Sequence, residues 1–143
     1  MKTNSILILI CLCMGIVSAC KTVNTYKVQD LNGKWTIVSV TDEPVTAANM
    51  PFLEFNVAEK RVHGNAGCNT LSAGFETDVK DATALKFVAP VKTMMACFNM
   101  ETEAKIVQAI NNVAHVKKGE TPNRMKLVDK EGNALLVLER VKP

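Results

Sequence analysis

Short β-type runs, separated by turn residues, recur about every ten residues through most of the chain. Most of these runs alternate apolar with polar side chains, which is the pattern of a strand with one face buried. Their spacing is typical of a small antiparallel barrel or sandwich. The predicted strands are residues 35–40, 52–57, 61–68, 71–77, 84–89, 114–118, 124–129 and 134–141.

Three of the predicted strands also indicate how the sheet is arranged. In the run 52–57, the apolar positions 53, 55 and 57 share one face, which we expect to point into the core. In the run 61–68, the inward face is made of small residues, so that another element can approach closely or the strand can bend at Gly64 or Gly67. The run 134–138 is apolar on both faces, which predicts a central strand.

One helix is predicted after residue 98. Asn99 can cap its N-terminus, and Glu101 and Glu103 favour the positive end of the helix dipole. Apolar residues recur at helical spacing from Ile106 to Val113. The order of elements predicts a mostly β, α+β domain, in which a small, curved, barrel-like antiparallel sheet packs on a single α-helix.

The first twenty residues have the pattern of a secretory signal. Lys2 precedes an apolar run over residues 6–17, which at about 18 Å is too short for a hydrocarbon core of about 30 Å. Small residues and Cys20 follow, and the ending Val-Ser-Ala-Cys resembles the lipobox of bacterial lipoproteins. The resemblance implies that Cys20 is the lipidated first residue of the mature protein, whereas an ordinary secretion signal would leave Cys20 incidental.

These features divide the chain into three parts. Residues 1–19 are a predicted lipoprotein signal peptide, residues 20–30 a polar lipidated tether that includes Tyr26, and residues 31–143 one folded domain. The formal net charge of the whole chain is +3, which is too small to indicate a nucleic-acid partner.

Two of the five cysteines, Cys68 and Cys97, remain once the signal and Cys20 are set aside. In an oxidising compartment they can form a disulfide, which would close a loop of roughly 30 residues and stabilise the domain by about 3 to 4 kcal/mol. They can equally be buried free thiols, and a redox-active or metal-bound pair is a third alternative.

No metal site and no catalytic group are predicted. His63 and His115, together with the two cysteines, lack the compact spacing of structural zinc ligands. For nucleophilic catalysis a base must lie within hydrogen-bond reach of the nucleophile, and no spacing in the chain implies this. The candidates considered were His63 as base, Cys68, Ser39 or Ser72 as nucleophile, and Asp78 or Asp81 as the orienting group. We therefore expect neither an enzyme nor a cofactor.

The segment from Gly64 to Asn69, followed by Thr93-Met-Met-Ala-Cys97, resembles the META domain family of HslJ-like bacterial lipoproteins. The resemblance to this family covers the chain from about residue 31 to about residue 140. The resemblance implies a small barrel-like domain with one helix and no agreed catalytic residues, and it implies a link to envelope stress and antibiotic tolerance. The matching motif residues are Gly64, Gly67, Cys68, Asn69, Thr93, Met95 and Cys97.

The expected function is therefore that of a lipid-anchored protein of the cell envelope that binds another envelope component. We expect the outer membrane rather than the inner one, because Lys21 is not the acidic residue that retains lipoproteins on the inner membrane in some bacteria. The alternative is a carrier of a small apolar ligand, since the Gly-Lys-Trp opening at residues 33–35 is similar to that of lipocalin-like barrels, which can enclose one ligand.

Overall fold

The computed structural model of the chain describes residues 26–98 and 100–142. The predicted signal peptide, the lipidation site Cys20 and the first half of the predicted tether lie outside the described residues, as does the predicted cap Asn99.

Nine strands and one α-helix make up the described part of the chain, after a short 3-10 helix at Val28–Leu31. All eight predicted strands are confirmed, and a two-residue strand, β2, is added between the first two of them. The elements are β1 (Gly33–Val40), β2 (Glu43–Pro44), β3 (Phe52–Asn56), β4 (Arg61–Asn65), β5 (Thr70–Thr77), β6 (Leu85–Lys92), α1 (Glu101–Asn112), β7 (His115–Lys118), β8 (Arg124–Val128) and β9 (Ala134–Arg140).

The strands form a single antiparallel sheet in the order β6-β5-β4-β3-β1-β9-β8-β7, with β2 paired to β1. The sheet is open and strongly curled into a half-barrel, which confirms the predicted fold class. Its two edge strands approach each other at one end, where an isolated bridge joins Ala84 to His115. Strand β9 lies between β1 and β8, as its two apolar faces predicted.

The concave side of the sheet and helix α1 enclose one hydrophobic core. The helix contributes Ile106, Ala109 and Ile110, which are buried against the strands. Its N-cap position is occupied by Met100, which makes no side-chain hydrogen bond to the first turn. The largest fully buried side chains of the core include Trp35, Phe55, Leu31, Ile37, Leu53, Leu71, Leu85, Ile106, Ile110, Met125, Leu127 and Leu136.

The fold begins before residue 31, which corrects the predicted end of the tether. Val28 and Leu31 are buried, and the indole Nε1 of Trp35 donates a 2.6 Å hydrogen bond to the Leu31 carbonyl. Tyr26 packs partly against the core, and its hydroxyl lies 3.4 Å from the Pro122 carbonyl oxygen. Residues 26–31 therefore belong to the folded domain and not to the predicted tether.

Gly64 is the position where β3 and β4 approach most closely. A Cβ built on Gly64 would overlap the backbone carbonyl of Phe52, whereas a Cβ on Gly74 would meet its nearest atoms at 3.8 Å. We expect Gly64→Ala to lower the free energy of unfolding by about 1–3 kcal/mol, because a strand backbone would have to move. Gly74→Ala is the matched control, and urea denaturation of both variants gives the comparison; equal stabilities would contradict the close approach.

Candidate functional site

The two motif segments meet at one end of the half-barrel, where the turn between β4 and β5 faces the segment that follows β6. Asn69 lies at the centre of this meeting and is fully buried. Its side-chain oxygen accepts hydrogen bonds from the Thr93 hydroxyl and from the Met95 backbone N–H, both at 2.7 Å. Its side-chain nitrogen donates to the Met95 carbonyl at 3.1 Å. Asn69 therefore fixes the backbone of residues 93–95 against the sheet.

Helix α1 is tied to the same point by Glu103, whose side chain is almost completely buried. Its carboxylate accepts hydrogen bonds from the Asn69 backbone N–H at 2.8 Å and from the Asn69 side-chain amide at 2.9 Å. The ammonium of Lys92 completes the cluster at 2.6 Å. We call Asn69, Lys92, Thr93 and Glu103 the buried polar cluster, after its two buried members Asn69 and Glu103; Lys92 is half-buried and Thr93 is exposed.

The electrostatics of this cluster favour the ionised carboxylate. Burial raises the pKa of Glu103, but the hydrogen bonds from Lys92 and Asn69 outweigh it, so that the pKa lies below its ordinary value of 4.5. Glu103 is also in the first turn of α1, where the helix dipole favours a negative charge. The negative charge of Glu103 is therefore an integral part of the folded state.

Cys68 and Cys97 form a disulfide, the first of the three alternatives that the sequence left open. Their Cα atoms are 6.2 Å apart and their sequence separation is 29 residues. Cys68 is half-buried next to Asn69, whereas Cys97 is exposed. The bond therefore holds the segment 93–98 at a second point, beyond the contacts made by Asn69.

Apolar side chains on this doubly held segment and on the preceding edge strand point into solvent. Their exposed fractions rise from 38% for Val88 to 88% for Met94, and Phe98 is fully exposed. We call these residues the apolar edge: Val88, Val91, Met94, Met95 and Phe98. Exposed apolar side chains that lie together on one part of a surface commonly mark an interaction site.

The motif residues mostly have structural roles, and Met95 alone among those below also exposes a large apolar side chain. Asn69 is buried and Gly64 makes the close strand approach described above. Gly67 adopts a φ of +115° in the turn before Cys68, a conformation that favours glycine. Thr93 and Cys97 hold the segment after β6, whereas Met95 exposes its side chain while its backbone binds Asn69.

The residues considered for metal binding lie apart from this site. His63 pairs with Glu54 at 3.4 Å on β4 and β3, and His115 pairs with Asp81 at 3.4 Å near the start of β6. Among the described residues, no group of three or more His, Cys, Asp or Glu side chains could hold a metal ion.

One trio of the catalytic candidates comes together in the sheet. Strand register places His63 between Glu54 and Ser72 on three neighbouring strands. The side chains of Glu54 and His63 are 45% and 63% exposed, so solvent would screen any charge that develops there. Glu54, His63 and Ser72 also line a solvent-open pocket of about 450 Å³.

A solvent-open groove of about 910 Å³ lies elsewhere, between the end of α1 and the β8–β9 turn. Gln108, Asn112, His115, Lys130 and Leu135 are among the residues that line it. It lies on the surface of the domain and outside the core, which is filled by side chains.

The sequence model of the META domain family matches residues 27–142, which is most of the chain. The chain belongs to the META domain family. The match begins four residues before the predicted domain boundary, in agreement with the burial of Val28 in this META domain. A search of curated proteins finds no match.

Two solved structures share the fold of this META domain. An NMR structure of a protein from Burkholderia xenovorans has a TM-score of 0.61 at 19% identity, covering 80% of this chain and 86% of that chain. A crystal structure of a DUF4847 family protein from Bacteroides vulgatus has a TM-score of 0.54 at 15% identity, covering 79% and 95%. Among the described residues of the META domain, none of the helices has the length and apolar character needed to cross a bilayer.

Proposed function

We propose that the chain is a non-enzymatic, lipid-anchored protein of the cell envelope whose META domain binds another envelope component. The observation that supports this proposal is the apolar edge. Its side chains are exposed, yet the segment that carries Met94, Met95 and Phe98 is held by a disulfide and by a buried asparagine. A surface that is both apolar and preorganised loses little conformational entropy on binding.

The anchor in this proposal is Cys20, six residues before the first described residue, Tyr26. Lipoprotein processing attaches several acyl chains to such a cysteine, and more than one chain is needed for stable membrane association. We expect Cys20→Ala to move the protein from the membrane fraction to the soluble fraction after cell fractionation. Cys11→Ala is the matched control, since it removes a cysteine of the predicted signal but leaves the anchor, and it should stay with the membrane. Unchanged membrane association of the Cys20 variant would refute the anchor.

The role in envelope stress and antibiotic tolerance is the finer part of the proposal, and it comes from the family resemblance. It is tested by deleting the gene and challenging the strain with envelope-active antibiotics. We expect sensitivity that the wild-type protein restores and the Cys20→Ala variant does not. Restoration by the unanchored variant would show that anchoring is dispensable for the role.

A carrier of a small apolar ligand is the weaker candidate. Such a carrier needs an internal cavity of several hundred Å³, and in this domain Trp35, Phe55 and the helix residues Ile106 and Ile110 occupy the space inside the curled sheet. The groove beside α1 is open to solvent and is bordered by charged side chains such as Lys86 and Lys130. Both features favour binding at the surface.

A further inference from the structure

The position of the apolar edge relative to the membrane anchor follows from the contacts of the first described residues. Tyr26 contacts Pro122, and the Val28 N–H donates to the carbonyl of Ala82, just before β6 begins. The apolar edge begins at Val88 and continues past the other end of the same strand. Strand β6 has 8 residues, which corresponds to about 26 Å. The chain therefore enters the domain at one end of β6, and Met94 to Phe98 lie beyond the opposite end.

The free tether is short compared with this distance. Five residues lie between Cys20 and Tyr26, and even fully extended the six steps from Cys20 to Tyr26 span only about 20 Å. With the tether end of β6 held next to the bilayer, the apolar edge is turned towards the aqueous compartment. The domain would have to lie flat on the membrane for Phe98 to touch lipid.

The charges near the apolar edge do not favour a lipid surface either. Residues 93–104 contain no Lys or Arg and include two glutamates, Glu101 and Glu103. The cations that flank this segment are paired: Lys92 with Glu103 at 2.6 Å, and Lys105 with Glu43 at 2.7 Å. Segments that bind anionic membranes combine apolar side chains with free basic ones. The segment 93–98, which carries Met94, Met95 and Phe98, lacks this combination.

The backbone of β6 also limits how a partner can bind. Ala89 has a φ of +46° at a bulge, and Pro90 follows it, so the strand is irregular and lacks one N–H donor. Bulges and prolines of this kind prevent an edge strand from pairing with another strand. Recognition therefore depends on the side chains of the apolar edge and not on the addition of a strand.

From these observations we infer that the apolar edge docks the apolar face of a second protein on the side of the domain away from the anchoring membrane. This inference rests on the proposed function and specifies its partner and its orientation. Met94 and Phe98 are the expected anchors, because they are the most exposed members and stand on the rigidly held segment.

The test is site-specific photo-crosslinking in intact cells that express the full lipidated protein. A benzophenone amino acid replaces Phe98, Met94, Val79 or Asn112 in separate strains. Val79 is the matched control, since it is an apolar, fully exposed residue of the turn between β5 and β6, at the tether end. Asn112 reports on the groove beside α1.

We expect one discrete protein adduct from positions 94 and 98 and none from position 79. Adding Val91→Asp should reduce the adduct at position 98 by about tenfold or more, as loss of an apolar contact at an interface centre does. Val79→Asp should leave the adduct unchanged. Because both substituted valines are exposed, neither change should alter the thermal unfolding temperature.

Three outcomes would overturn the inference. Lipid adducts at position 98 would mean that the apolar edge lies against the bilayer. A protein adduct only at position 112 would move the binding site to the groove. An adduct that survives Val91→Asp would show that the apolar side chains do not carry recognition. The proposed anchored binding role survives the first two outcomes, whereas it fails if none of the four positions gives an adduct or if Cys20→Ala leaves membrane association unchanged.

Discussion

Glu103→Ala is expected to lower the free energy of unfolding by about 3 kcal/mol, at the lower end of the cost of breaking a buried ion pair, because the Lys92 side chain that it leaves behind is 29% exposed. The carboxylate is the acceptor for the Lys92 ammonium and for both the backbone and side-chain N–H groups of Asn69. Without it, the backbone N–H and one of the two side-chain N–H groups of Asn69 are buried and unsatisfied, which adds to the loss. Urea denaturation measures the difference.

The control for this prediction is Glu101→Ala, on the same turn of the helix. Glu101 pairs with Lys105 at 3.0 Å, but its side chain is 77% exposed. Exposed ion pairs contribute about 0–1 kcal/mol, so the loss should be small. If both alanine variants unfolded at the same urea concentration, the buried polar cluster would not be a main source of stability.

The stability conferred by Glu103 should also depend on pH. In the unfolded chain this carboxyl has its ordinary pKa of 4.5, and in the folded protein its pKa is lower. The unfolded state therefore binds more protons in this range, and stability falls as the pH decreases below 4.5 and through the folded pKa. Asp81 and Asp129 also have lowered pKa values, so the comparison needs Glu103→Gln measured beside the wild type. The difference between the two proteins should shrink with decreasing pH; a constant difference would contradict the assignment.

The strands could be predicted because burial in the core imposes a local pattern of apolar and polar residues on the sequence. Half-buried strands must alternate, as Leu53 and Phe55 do against Glu54. The run 134–138 lies between two other strands as predicted, although Leu135 and Val137 on its outer face are only half-buried. The small residue at Gly64 likewise recorded a close approach between two strands. Each of these signals depends only on neighbours within a few residues.

The contacts of the buried polar cluster could not be predicted from a local pattern, although each of its four residues can be read directly from the sequence. By simple alternation from Leu85 and Phe87, Val91 would point inward and Lys92 outward. The bulge at Ala89 adds one residue to β6 and reverses this order, so that Lys92 reaches Glu103 and Val91 is exposed. A positive φ at an alanine leaves no mark in the sequence.

The role of Glu103 as the partner of Lys92 and Asn69 could not be predicted, because its position in the sequence already had a simpler explanation. An acidic residue in the first turn of a helix is fully accounted for by the helix dipole, so nothing in the chain required a buried partner. Its two partners are 11 and 34 residues away, on separate strands or turns. Likewise, the tether seemed to reach residue 30 because Val28 and Leu31 bury their side chains only once β1 and the loop at Ala82 are in place.

The second large effect is expected for the disulfide. The double variant Cys68→Ser, Cys97→Ser should lose about 3–4 kcal/mol in the free energy of unfolding, because the bond closes a loop of roughly 30 residues in the unfolded chain. Serine fits both positions, since its side chain is smaller than that of cysteine, Cys97 is exposed and Cys68 is half-buried. The expected loss is therefore a property of the cross-link and not of packing.

Adding a reductant distinguishes the effect of losing the cross-link from the effect of changing the two side chains. Dithiothreitol should lower the unfolding midpoint of the wild type to that of the double variant and leave the variant unchanged. Asn69 still binds the backbone of Met95 after reduction, so the apolar edge should keep its position near Met95 and loosen towards Phe98. Hydrogen exchange of the amides 96–98 measures this loosening, because local opening releases protection segment by segment. A wild-type protein whose unfolding and exchange are both insensitive to reductant would instead have its two cysteines as free thiols.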